Sequence, residues 1–177
     1  KTKMQAAGQA YIYGYPMLLV EATKDVMLQS KSAQLNQFRH LQFFQDHTFR
    51  NVVRPNNDTL YSIAWLDLSQ EPIVLGVPDT NGRYYVMPLM DAATNVFATV
   101  GKSSTGTQAG AYLIHGPEWA GDAPVGLTKI KAPTNLVWII GRIQTNDPTD
   151  IDDLEVAMAL QEQFTLSSVA GFREGAI

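Results

Sequence analysis

The runs Leu60-Tyr61-Ser62-Ile63-Ala64-Trp65-Leu66-Asp67-Leu68, Ile73-Val74-Leu75-Gly76-Val77 and Arg83-Tyr84-Tyr85-Val86-Met87-Pro88-Leu89 decide the fold class. Each is short, rich in β-branched and aromatic residues, and bounded by turn formers, which is the pattern of a β-strand. Pro78-Asp79-Thr80-Asn81-Gly82 separates the last two. Asn and Gly tolerate the positive φ that a tight turn needs, so this segment predicts a hairpin. Alternation puts Arg83 and Tyr85 on one face and Tyr84 on the other. More strands are expected at Asn95–Val100, Ala111–His115, Leu127–Lys131 and Leu136–Ile143. No helical pattern alternates with them, so a doubly wound parallel sheet is disfavoured. The expected architecture is mainly β with added helices: an antiparallel β-sandwich or barrel.

Outward from this core the periodicity changes. Apolar and good helix-forming residues recur at spacings of three and four through the first thirty residues, including Ala6, Ala10, Met17, Leu18 and Val20. Gly14 and Pro16 interrupt them, which predicts a kink or two helices with Pro16 in the first turn of the second. Lys31–Val53 is polar and glutamine-rich, with Phe38, Phe43, Phe44 and Phe49 suggesting a packed loop or short helices. At the other end, Asp147-Pro148 before Thr149-Asp150-Ile151-Asp152 is a strong helix start. The organisation expected is a single domain over residues 1–177. It has a helical and loop lead-in over 1–53, a β-sandwich over 54–145 and a helix over 147–164.

Length and charge set further bounds. A chain of 177 residues can bury about 70% of its unfolded surface and needs no covalent staple. Charged residues are 17%, against about 25% in an ordinary domain. Net charge is −4 with no basic cluster, which argues against duplex nucleic acid as a partner. Cysteine is absent, so thiolate chemistry, zinc fingers and iron–sulfur sites are excluded. The most apolar stretch, Tyr11–Val20, is far shorter than the ~20 residues of a membrane span.

Polar residues gather in three knots. Arg50-Asn51-Val52-Val53-Arg54-Pro55-Asn56-Asn57-Asp58-Thr59 precedes the first strong strand. Asp91, Thr94 and Asn95 form the second, and Lys131, Thr134 and Asn135 the third. Such side chains seal strand ends by bonding local backbone, and the same groups can converge on a ligand's hydroxyls or carboxylate. At one rim they make a site, and at opposite rims they make corner seals. Arg83 has two uses as well, a pair with Asp58 or Asp91 or a contact with a ligand anion. His40, His47 and His115 show no metal-ligand spacing, so neither a metal nor another cofactor is expected. Gly101-Lys102-Ser103-Ser104-Thr105-Gly106-Thr107 has the wrong order for a phosphate loop and reads as a hairpin loop.

Several of these residues fall into one combination. Val53-Arg54-Pro55-Asn56-Asn57-Asp58-Thr59-Leu60-Tyr61, Trp65-Leu66-Asp67-Leu68, Gly82-Arg83-Tyr84-Tyr85, Asp91, Thr94-Asn95, Ala132-Pro133-Thr134-Asn135 and Gly141-Arg142 resemble the bacterial family called domain of unknown function 1254. The likeness runs from Ala10-Tyr11 to Gln161. It implies a sandwich of jelly-roll type with leading helices, an export signal ahead of the domain, and a second all-β domain, family 1214, behind it. A periplasmic or secreted location is therefore expected. The resemblance attaches no catalytic role to the signature residues.

Three functions stay open at this point. In one, an enzyme acts on a small polar or anionic molecule at a sandwich end. Asp58 is its acid or base, Arg54 and Arg83 hold the anion, Tyr61 and Tyr85 line the pocket, and Asn57, Asp91 and Asn95 complete the ligand contacts. The second is a non-catalytic sandwich that binds a ligand or assembles with other domains. The third is one half of a two-domain protein, whose exposed face is covered by the missing β domain or by self-association.

Overall fold

The computed structural model describes residues 2–30, 33–44, 48, 56–147 and 149–172. Helix α1 spans Lys3–Gln29. Strands β1 (Arg39–Leu41), β2 (Thr59–Asp67), β3 (Ile73–Val77), β4 (Tyr85–Met90), β5 (Val96–Gly101), β6 (Gly110–His115), β7 (Thr128–Lys131) and β8 (Leu136–Gln144) follow. Helix α2 (Ile151–Gln161) and strand β9 (Thr165–Ser168) complete the order.

Two sheets form a sandwich. One has the order β1-β2-β8-β4-β5 and the other β7-β6-β3-β9. The long pair is β2 with β8, in register from Thr59 opposite Gln144 to Asp67 opposite Leu136. Parity then fixes the inner face of the first sheet. Leu60, Ala64 and Leu66 of β2 point inward with Tyr85, Met87 and Leu89 of β4 and Val137, Ile139 and Ile143 of β8. They meet Ile73, Leu75, Val77 and Ile114 of the second sheet in one core, closed at the side by Ala157 and Phe164.

Three expectations are corrected. The turn at residues 78–82 is not a hairpin. Arg83 N–H donates to the Thr80 carbonyl and Thr80 Oγ1–H to the Arg83 carbonyl, and Asn81 (φ 50°) and Gly82 (φ 81°) take positive φ. It nevertheless carries the chain from one sheet to the other, because β3 pairs with β6 and β9 while β4 pairs with β5 and β8. The segment after Gly101 also crosses between sheets and is not a hairpin loop. Second, the sandwich is not wholly antiparallel: β6 and β7 run parallel, which the long connection from Gly116 to Leu127 permits.

Third, of the two alternatives at Pro16, two separate helices are overturned: α1 is one continuous helix with Pro16 inside it. Proline removes one donor, but its fixed φ is itself helical. The helix starts on a capping box in which Gln5 N–H donates to Thr2 Oγ1 and Thr2 N–H donates to Gln5 Oε1. Only Val20 of α1 is buried. The face carrying Val20 and Met27 rests on the outer side of the first sheet, where Trp65 Nε1–H donates to Met27 Sδ at 3.4 Å. Trp65 is completely buried there and stacks on Trp138 with centroids 4.5 Å apart.

Candidate functional site

The nominated side chains lie at two opposite rims and on two faces. Thr59 pairs with Gln144 and Tyr85 with Ile143, so Asp58, Arg83 and the end of β8 share one rim. Met90 pairs with Trp138, so Asp91 and Asn95 sit at the other, about 20 Å away along a six-residue strand. Arg54 and His47 lie outside the described residues.

At the first rim the Arg83 guanidinium donates to Asp153 Oδ1 (2.7 Å) and to the Gln144 carbonyl (2.9 Å). Asp153 also accepts from the Asn146 backbone N–H (2.6 Å) and side chain (2.9 Å). It reaches this place because Asp150 caps α2 and sets Asp153 in its first turn. The Arg83 hydrogen bond holds the Asp153 carboxyl well below its usual range, at about 2. The network ties the start of β4, the end of β8 and the start of α2. Asp58 is exposed. Its backbone accepts from Thr145 N–H (3.0 Å) and Oγ1–H (3.1 Å), and Asn57 is exposed beside it.

An open cleft of about 410 Å³ adjoins this rim. Asp79, Asn81, Arg83 and Asn146 line one side and Val156 and Leu160 of α2 the other. Among the described residues, Asp58, Tyr61 and Tyr85 are not part of that lining. Tyr85 is fully buried in the core, with its ring 5.5 Å from that of Phe164. Its hydroxyl has no hydrogen-bond partner. Burial pushes that hydroxyl up in pKa, partly offset by the nearby Thr105 hydroxyl, which lies outside hydrogen-bonding geometry. Tyr61 points from the opposite face, with Arg142 5.4 Å above its ring.

At the second rim the Asp91 carboxylate accepts from the backbone N–H of Ala93 and Asn95, both at 2.9 Å, and from the Asn95 side chain. Thr134 Oγ1 accepts from Ala92 N–H and donates to the Leu136 carbonyl. The second knot and Thr134 of the third thus form one seal closing the turn between β4 and β5 against the start of β8, with Thr94 held at φ 68°.

One polar cluster had not been singled out. Ser62 occupies a core-facing position of β2 yet is polar, and it is 2.9 Å from His40 Nδ1. Gln161 Nε2 donates to the Tyr61 carbonyl (2.9 Å) and to Ser62 Oγ (3.2 Å). Gln161 Oε1 is buried with no partner. Polarity at an inward parity position was the available signal. Burial lowers the His40 pKa, opposed by Glu162. The folded value therefore lies below the ~6.5 of an unfolded histidine. Between the two values the unfolded chain binds more protons, so stability should fall as pH drops through that window. A melting temperature measured from pH 7 to 5 should decline less in His40→Gln than in the parent. Equal slopes would refute the role of His40.

His115 is buried, bonds the Gly116 carbonyl and packs against Trp119, over which Lys129 sits at 5.4 Å. Among the described residues no group of three His, Asp or Glu side chains is placed to hold a metal. No helix among them is long and apolar enough to cross a membrane.

Two packed sheets, two helices and rims closed by local hydrogen bonds define a mainly β sandwich protein. The family model described as a protein of unknown function (DUF1254) matches residues 35–168, and the chain belongs to that family. The VPA0106 protein of Vibrio parahaemolyticus is similar, at 28% identity and a TM-score of 0.75. The likeness covers 96% of this chain but only 39% of that one. A putative uncharacterized protein from Burkholderia cenocepacia is more distant, at 11% identity and a TM-score of 0.46, over 78% of this chain and 37% of that one. No curated protein gives a match.

Proposed function

We propose that this sandwich is a non-catalytic assembly module that packs against a second β domain in a protein working outside the cytoplasm. The carrying observation is how the rim side chains are used. Arg83, Asp91, Asn95 and Thr134 each hold neighbouring backbone or one another, so these four form seals at two rims and do not converge on one cavity. The chain spans 39% of the similar Vibrio protein, which leaves room for a further domain in such a protein. The test mixes the 177-residue chain with the remaining portion of a full-length relative and measures complex formation by size exclusion. A one-to-one complex supports the reading. Separate elution, together with any activity of the chain that Asp58→Asn abolishes, overturns it.

The cleft favours a second reading, a site for a small polar or anionic molecule, because Arg83, Asn81 and Asn146 line it together. Thermal stabilisation by a small carboxylate, lost in Asn146→Ala, would select this alternative.

The Arg83–Asp153 pair also makes a pH prediction. The folded pKa of Asp153, about 2, lies below the unfolded value near 3.9. The stabilisation is present above pH 4 and is lost as pH falls toward 2. Removing it through Asp153→Asn should lower stability at neutral pH and flatten the acid limb of the stability curve. An unchanged acid limb would contradict the assignment.

A further inference from the structure

The outward side of α1 is its more apolar side. At 100° per residue, Met4, Tyr11, Ile12, Tyr15, Leu18, Leu19 and Val26 fall on one stripe, opposite buried Val20. They are 48–86% exposed, from Tyr15 to Met4. Taking ~150–250 Å² per large side chain, they present roughly 800 Å². The largest apolar patch of an ordinary monomer is about 300–600 Å². A stable interface needs about 800 Å² from each partner. On its other side the second half of the helix meets the sheet at Val20 and Met27, while the first half is exposed all round, Tyr13 to 80%.

The order of residues along the stripe says what the cover is. With Gly8 and Ala22 included, the stripe is symmetric about Tyr15. Met4 mirrors Val26, Gly8 mirrors Ala22, Tyr11 mirrors Leu19 and Ile12 mirrors Leu18. A two-fold axis through Tyr15 therefore sets large against large and small against small, as an isologous contact requires. The same register sets Glu21 opposite Gln9 and Asp25 opposite Gln5, with no like charges facing. A Cβ added at Gly8 meets nothing within 4 Å in the single chain, so the closest approach is left open to a partner.

We infer that two copies of this chain associate through an antiparallel α1–α1 pair centred on Tyr15, with the sandwiches on the outer sides. This rests on the assembly reading and names a different surface user from the second β domain. Light scattering of the 177-residue chain at high micromolar concentration should give the mass of two chains. Tyr15→Glu, at an exposed position, should give one chain with an unchanged circular dichroism spectrum. Tyr13→Glu, off the stripe, should leave two. Cysteine is absent from the chain, so single cysteines report the register. A mixture of Met4→Cys and Val26→Cys chains should cross-link as a mixed pair faster than either chain with itself. A monomeric parent, a dimer that survives Tyr15→Glu, or preferential Met4→Cys self-linking would each overturn the inference. A monomer that still binds the second β domain would do so while leaving the assembly reading intact.

Discussion

Replacing Trp65 by alanine should cost about 3–5 kcal/mol, the range for deleting a fully buried aromatic side chain. The indole is completely inaccessible although it stands on the outer face of the first sheet. It is enclosed by Trp138 on the neighbouring strand, by Met27 of α1 and by the bridge that Leu35 makes to its backbone. The variant therefore loses both an aromatic stack and a contact with α1 at Met27. Denaturant unfolding measures the first loss, and faster proteolysis within residues 3–29 measures the second. A loss below about 1 kcal/mol would mean that α1 and Trp138 do not enclose the ring as described. Trp65→Phe should recover most of the packing but not the N–H donor to Met27.

The second large effect is expected at Gly101. A Cβ there would lie 2.5 Å from the Tyr85 carbonyl oxygen and 2.9 Å from Val86 Cα. Both are backbone atoms of β4, so no side-chain rotation relieves the contact. The residue also has φ 156°, which an L side chain rarely adopts. Its carbonyl accepts from the N–H groups of Ser104, Thr105 and Gly106, which turns the chain out of β5 toward the other sheet. Gly101→Ala should cost about 3 kcal/mol or more, at the upper end of overpacking changes. Gly82, whose Cβ would meet nothing, is the control, where only the strain of positive φ (81°) applies. If the two variants lose equal stability, the close approach of β4 and β5 is not what confines Gly101.

The strands were legible because their alternation and their turn formers are local facts. The bounds of Ile73–Val77 are legible to the residue, and those of the other strong strands within two. What Asn81-Gly82 could not tell is which sheet the next strand joins. Turn chemistry specifies the sign of φ, while β4 is drawn to β8 by side chains about fifty residues away. The weakest strands, β1 and β9, have three and four residues and are defined by their partners. At the rims, Asn, Asp and Thr serve turns and ligands with the same atoms, so residue type alone could not separate seal from site. Of the two uses open to Arg83, the ion pair is the one found, but with Asp153 in place of Asp58 or Asp91. Asp153 carries no sequence signal of its own, because an acid in a first helical turn has a sufficient use there.

The topology also has a consequence during synthesis. Strand β3 is apolar and buried at every position, and it lies between β6 and β9. The last of those partners, β9, ends at Ser168, about 90 residues after β3 leaves the ribosome's active centre. At 5–20 residues per second that delay is roughly 5–20 s. For this time one edge of Ile73–Val77 has no strand to pair with, and the nascent chain must keep an uncharged, strand-forming segment from other chains.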